Sequence, residues 1–275
     1  MNWIEAVVLG IVQGLTEFLP VSSSGHLVLF QHLFGLVEPE LLFDICVHVG
    51  TLAAVLVVFY RDILNLLSTL VRLPGLVRDY GGMGALFTDH PEFRLMVMIV
   101  LGCVPTALLG GLFAKIAEQL FGTIWLVGIS LLITGTFLWF TRSQKHSGHS
   151  IRQMRLKDAL LIGLVQGLAI IPGISRSGAT ISAALYLRLD RELAGRFSFL
   201  LAIPAILGAM VLGLDSEAFQ TTLPAVTILL GSLAAAAVGL IALVVLLRMV
   251  KKGQLHRFAP YCWIAGGVAL AISTI

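Results

Sequence analysis

Apolar residues run along this chain in long blocks rather than in the alternating or half-apolar patterns of a water-soluble fold. Six blocks reach the roughly 17–25 residues needed to cross a hydrocarbon core: about 41–60, 94–114, 121–141, 193–213, 221–248 and 258–275. Two more, about 4–34 and 158–187, are interrupted midway by clusters of Pro, Gly and Ser. A block broken in that way suits a plain spanning helix poorly. It predicts two half-helices around a loop that dips into the membrane and returns. The pattern therefore predicts an all-α integral membrane protein, with about six transmembrane helices plus two re-entrant helical hairpins in a single membrane domain over 1–275.

Charge sharpens this picture. The chain is 58% hydrophobic and 12% charged, against about 25% charged in soluble domains. Let the end of the first block, at Arg61, lie in the cytoplasm. The segments 61–94 (Arg61, Arg72, Arg78, Arg94), 142–157 (Arg142, Lys145, Arg152, Arg155, Lys157), 188–196 (Arg188, Arg191, Arg196) and 248–257 (Arg248, Lys251, Lys252, Arg257) then share that side, with sixteen of the 18 Lys and Arg. The other side shows Glu38, Glu40, Asp44, Glu118, Asp215 and Glu217, with only Lys115. The positive-inside rule is met only if both interrupted blocks re-enter. One basic residue is left over, Arg176. The start, MNWIEAVVLG, lacks the basic stretch of a cleavable signal. Cys46, Cys103 and Cys262 sit in apolar runs with no CxxC or zinc spacing and read as small buried residues. No nucleic-acid partner is expected.

The two interrupted blocks resemble each other. GIVQGLTEFLPVSSSG (10–25) and GLVQGLAIIPGISRSG (163–178) match at eight of sixteen positions with a constant offset of 153 and no gaps. Gln13 falls on Gln166, Ser22 on Ser175 and Ser24 on Ser177. Three spans follow each copy. A re-entrant unit leaves the chain on its starting side and three spans reverse it, so the second copy is expected to be inverted. This predicts an inverted-topology repeat, about 1–142 and about 152–275, whose hairpin tips meet near the midplane.

The tips carry the candidate chemistry. In PGISRSGAT, Pro172 and Gly173 end one half-helix and Ser175 or Ser177 caps the next. Arg176 then lies at membrane depth, where a charge costs on the order of 3 kcal/mol or more. It reads as a fork for phosphate, or as an ion pair with Glu17. Gln13 and Glu17 are four residues apart on one helix face. Ser22, Ser23 and Ser24 follow Pro20; helix capping is their plainer role. His26 lies three residues beyond Ser23, and a hydroxyl beside an imidazole suits a nucleophile with its base, or a donor with an acid. Phosphoryl transfer needs positive charge on the non-bridging oxygens, an in-line nucleophile and a proton for the leaving group. Glu17, with Gln13, can hold a Mg2+ or Ca2+ that bridges phosphate oxygens, although one carboxylate is thin for an all-protein site. His48, with Thr51 nearby, bonds a loop or lines the cavity. His146 and His149 belong to a polar linker. GSLAAAAVG (231–239) suits close helix approach, within the bundle or across a homodimer.

QGLTEFLPVSSSGH and PGISRSGAT together resemble the two signature motifs of the bacterial undecaprenyl-diphosphate phosphatase family, also called bacitracin-resistance proteins, and the similarity runs along essentially the whole chain, RFSFLLAIP (196–204) included. The resemblance implies a membrane bundle with two re-entrant hairpins in the bacterial inner membrane. It implies removal of the terminal phosphate of a C55 polyprenyl diphosphate, to recycle the cell-wall lipid carrier. It also implies catalysis facing the outer leaflet and dependence on a divalent cation, Mg2+ or Ca2+. The family's acidic motif falls on Gln13 and Glu17, its Ser/His motif on Ser22, Ser23 and His26, and its Arg motif on Ser175, Arg176 and Thr180. Many members have Glu where this chain has Gln13, which shifts weight to Glu17. The expected roles are Ser23 and His26 as nucleophile and acid/base, with the attacking group left open, Arg176 as phosphate clamp and Glu17 on the cation or water. Gln13, Ser22, Ser24, Ser175, Ser177 and Thr180 are expected to bind substrate. The inverted repeat also motivates a second class, a transporter or flippase of a polyprenyl phosphate, and a purely structural subunit is a third.

Overall fold

The computed structural model describes residues 1–34, 41–113, 123–144, 148–213 and 223–273. Within them the chain is helical, in the order α1 (Trp3–Phe18), α2 (Ser23–Leu33), α3 (Leu41–Val58), α4 (Tyr60–Val71), α5 (Leu73–Asp79), α6 (Met83–Asp89), α7 (Pro91–Phe113), α8 (Ile124–Phe140), α9 (Leu156–Leu168), α10 (Arg176–Tyr186), α11 (Arg191–Gly213), α12 (Ala225–Lys251) and α13 (Ala259–Ile272). Among the described residues, four helices are long and apolar enough to cross a membrane, and a fifth span arises if the bent pair α3 and α4 is taken as one. On α7 and α12, Val100, Leu108, Leu112, Val226 and Ile241 are all exposed, as lipid-facing side chains are. The protein is a multi-pass membrane protein.

Both interrupted blocks form helical hairpins. Asn2 caps α1 through a reciprocal box with Glu5, its side chain accepting from Glu5 N while the Asn2 amide donates to the Glu5 carboxylate at 2.7 Å. The helix stops at Leu19–Pro20, and α2 starts at Ser23. In the second hairpin Gly173 turns at φ 92°, a conformation that favours glycine, and Ser175 caps α10 by accepting from Gly178 N at 3.1 Å.

Two of the expected spans differ from the sequence reading. The block 41–60 breaks at Phe59, and the chain turns by 78° into α4. The segment 61–94 is accordingly three short helices and the start of α7, not a plain loop. The reason is a change of pattern: Tyr60, Leu64, Leu67 and Val71 are exposed on one face of α4, with Arg61, Asn65, Ser68 and Arg72 elsewhere around it. Such a helix suits the plane of the interface better than the hydrocarbon. The block 258–275 gives α13, 14 residues, or about 21 Å at 1.5 Å per residue.

The four basic segments meet at one end of the bundle. Arg94 donates to the Met154 carbonyl at 2.7 Å, Arg196 pairs with Asp62 at 2.6 Å, Arg191 donates to the Gln144 carbonyl at 3.1 Å, and Lys251 pairs with Glu192 at 3.0 Å. His149 and Asp190 join backbones across the same end. Lys145, His146, Lys115, Glu38, Glu40, Glu118, Asp215 and Glu217 lie outside the described residues.

Close helix contacts hold the hairpins. α1 crosses α12 where Gly10 meets Gly231, and a Cβ at Gly14 would come within 2.8 Å of the Ala235 carbonyl. α9 crosses α7 where Gly163 meets Gly102, and a Cβ at Gly167 would come within 2.7 Å of Leu109. Small residues let backbones touch where lipid gives no hydrophobic drive for association. Of the small-residue run 231–239, Gly231, Ala235 and Gly239 serve packing inside the bundle. Beside the loops lies an aromatic cluster, with Phe18 5.8 Å and Phe59 6.0 Å from Phe199 between ring centroids.

Candidate active site

The two hairpin tips touch. Arg176, the first residue of α10, donates from Nη2 to Oε1 of Glu17 near the end of α1. Ser177 donates to the Phe18 carbonyl at 2.9 Å, and a Cβ at Gly178 would lie 2.9 Å from Pro20. α8 and α13 pin the loops from outside: Thr134 donates to the Gly173 carbonyl at 3.1 Å, and the Cys262 thiol lies 3.3 Å from the Pro20 carbonyl.

Glu17 is the hub. Its side chain is 8% exposed and that of Arg176 17%. Ser23 Oγ donates to Glu17 Oε2 at 2.7 Å and Gln13 Nε2 donates to the same oxygen at 3.1 Å. His48 Nε2, on α3, lies 3.8 Å from it, while His48 Nδ1 donates to the Asp44 carbonyl at 2.7 Å. A carboxylate taken this far from water needs such donors on both oxygens. Arg176 has a spare group: its Nη1 is buried and has no partner among the described residues. A buried N–H without an acceptor is costly in the resting protein, and an anion entering here would supply one.

Gln13, Glu17, Ser23 and Arg176 thus form one constellation. The pairing of Ser23 with His26 takes another form than the spacing predicted. The Ser23 hydroxyl is bonded to Glu17, whereas His26 Nδ1 lies 2.8 Å from the Ser22 carbonyl and Nε2 lies 2.6 Å from Tyr261 Oη on α13. Ser23 and His26 share a face of α2, but the end of α1 and α13 reach the two side chains first. Ser22 has φ 70°, in the left-handed region, the kind of backbone strain that gathers at sites of function.

Several residues expected at the substrate also build the loops. Ser175 is the α10 cap, Ser177 bonds the first hairpin, and Thr180 donates to the Arg176 carbonyl at 2.8 Å. Ser22 and Ser24 hydroxyls lie 3.3 Å apart, as do those of Ser175 and Ser177. Gln13 and Gln166 match likewise: both are buried and each leaves its Oε1 without a partner among the described residues. The Oε1 of Gln13 and the Glu17 carboxylate are oxygens of the kind a hard cation takes, although Gln13 turns its amide nitrogen toward Glu17, at 3.1 Å. No group of three His, Cys, Asp or Glu comes together among the described residues, so a cation here would need further oxygens from its ligand.

A family model described as "Bacitracin resistance protein BacA" matches residues 6–268. The chain belongs to the BacA family. It is 49% identical over 276 residues to an undecaprenyl-diphosphatase of Desulfatibacillum aliphaticivorans, covering all of both chains. It is 52% identical over 274 residues to one of Desulfosudis oleivorans, covering 99% of each, and 47% identical over 271 residues to one of Desulforapulum autotrophicum, covering 98% of each.

Two residues at this site have no signal in the two motifs. His48 reads in the sequence as a cavity-lining or loop-bonding residue, and its place one turn beyond Asp44 on an apolar helix does not tell which neighbour it meets. Tyr261 had no motif at all. Its one signal is a phenol in FAPYCWIAGG (258–267), a stretch otherwise without a strong polar group.

Proposed function

We propose that this protein is an undecaprenyl-diphosphatase, which hydrolyses the terminal phosphoanhydride of undecaprenyl diphosphate to phosphate and the C55 monophosphate. The relatives of this name span its whole length. The observation that carries the chemistry is Arg176, anchored by Glu17 through Nη2 with Nη1 left open. Such a guanidinium is aimed and preorganised for a phosphoryl oxygen.

Ser23 Oγ is the nucleophile this arrangement favours. It gives its proton to Glu17 Oε2, attacks the terminal phosphorus, and the bond to the bridging oxygen breaks to release the lipid monophosphate. His26 then serves as the base for the water that cleaves the phosphoserine, the proton reaching Nε2 through the hydroxyl bonded there. Phosphate clamping falls to Arg176. Glu17 and Gln13 would hold a Mg2+ or Ca2+, which would neutralise charge on the phosphate oxygens. The alternative, attack by His26, is weaker because both ring nitrogens already have partners.

The reading extends to topology. Six spans and two re-entrant hairpins in repeats of about 1–142 and 152–275 are supported by the paired serine bonds, the paired orphan glutamines, and the α1–α12 and α9–α7 glycine crossings. The joined basic end is cytoplasmic by the positive-inside rule, so the first hairpin enters from the outer leaflet of the inner membrane.

The repeat also favours a flippase as the second reading. Purified protein in proteoliposomes separates the two: a phosphatase releases phosphate and converts the diphosphate, whereas a flippase moves the lipid without phosphate release. Lipid movement with no phosphate above the protein-free rate sinks the phosphatase reading.

A further inference from the structure

The hydrogen bonds of His26 fix where its proton sits. A backbone carbonyl can only accept, so Nδ1, 2.8 Å from the Ser22 oxygen, carries a hydrogen. In the neutral ring Nε2 is then an acceptor, and Tyr261 Oη, 2.6 Å away, donates to it. The two rings are nearly parallel, 15° between planes with centroids 5.8 Å apart, so the phenol meets the imidazole end to end, close to its own plane. Tyr261 is itself held in place. Its neighbour Cys262 is fully buried against the Pro20 carbonyl, and α13 is locked on α8 where Gly266 meets Gly128. The clamp on His26 therefore comes from the last helix of the chain and from the left-handed turn at Ser22.

We infer that Tyr261 is a positioning residue for the phosphatase site, holding His26 in the Nδ1–H tautomer with Nε2 as the acceptor that takes the proton. This rests on the acid/base role of His26 given above. When water gives a proton to Tyr261 Oη as the phenol passes its own to Nε2, the ring becomes a donor at both nitrogens, and Tyr261 Oη turns from donor to acceptor. Both charge states of His26 thus keep two partners, and the ring need not rotate during turnover. Without the phenol hydroxyl, Nε2 loses its partner and nothing but the Ser22 carbonyl selects the tautomer. Second groups that orient an imidazole in this way commonly matter by about 10–100-fold.

The test is Tyr261→Phe in the full-length protein, which keeps the ring and removes only the hydroxyl. Phosphate release from undecaprenyl diphosphate is expected to lose about tenfold in kcat with KM within about twofold. Histidine 15N NMR, with the His26 signal identified by its loss in His26→Gln, is expected to show a single Nδ1–H tautomer in the wild type and a mixture in Tyr261→Phe. An unchanged tautomer, or an unchanged kcat, overturns the inference. So does a raised KM at constant kcat, which makes Tyr261 a substrate contact. If the wild type releases no phosphate while the tautomer still shifts in Tyr261→Phe, the clamp stands and the phosphatase reading falls.

Discussion

Replacing Arg176 by Ala removes the cation from a carboxylate that is 8% exposed. Breaking one side of a buried ion pair costs roughly 3–5 kcal/mol, because the remaining charge is stranded. Glu17 keeps Ser23 at 2.7 Å and Gln13 at 3.1 Å, so the lower end, about 3 kcal/mol, is expected. Glu17→Gln strands Arg176 instead and costs a similar amount. The double variant strands neither charge, so it should be more stable than the sum of the singles by about 2 kcal/mol. Unfolding by SDS in mixed micelles, followed by the fluorescence of the four tryptophans, measures all three. Activity should not recover with stability: every variant lacking Arg176 should lose roughly 100–1000-fold in kcat, the scale for removing a preorganised group from developing charge. Additivity of the two single effects within about 0.5 kcal/mol, the behaviour of independent sites, would refute the idea that the hairpins share one charge pair.

Further outcomes follow from the same geometry. Gly163→Ala puts a methyl into the Gly102 backbone, where no side chain can yield; α9 and α7 must separate, and a loss of at least about 2 kcal/mol is expected in the same SDS titration. Gln13→Glu adds a carboxylate beside Glu17, 3.1 Å away through the present amide, and should lower the Mg2+ or Ca2+ concentration giving half-maximal activity by about tenfold after chelator treatment; no change removes Gln13 from the cation site. Rapid quench with terminally labelled substrate should trap label on Ser23, and Ser23→Ala should trap none; label on His26 reverses the assignment of the nucleophile.

The sequence carried most of the architecture because its strongest signals were physical exclusions. Long apolar blocks had to be membrane helices, and Pro and Gly clusters within two of them had to interrupt the backbone ladder. Arg176 was legible for the same reason: a charge among apolar residues needs a partner, and Glu17 was the carboxylate of the matching repeat. Less could be read where several outcomes share one pattern. The helices of 60–89 look like a basic loop when only charge is counted, and the apolar face of α4 emerges only with helical spacing. Ser23 and His26 share a helix face, yet their partners come from α1 and α13, and residue spacing says nothing of contacts over 235 positions, the separation of His26 from Tyr261. Ser177 and Thr180 look like phosphate donors in isolation, but their hydroxyls are used to join and hold the loops.

The central claim is that both hairpin loops act on one phosphate. It is met most directly by single-turnover phosphate release from undecaprenyl diphosphate in proteoliposomes, comparing wild type, Glu17→Gln and Arg176→Ala at matched folded protein. Both variants, on opposite hairpins, are predicted to fall by at least about 100-fold. Wild-type release by Arg176→Ala would contradict the account.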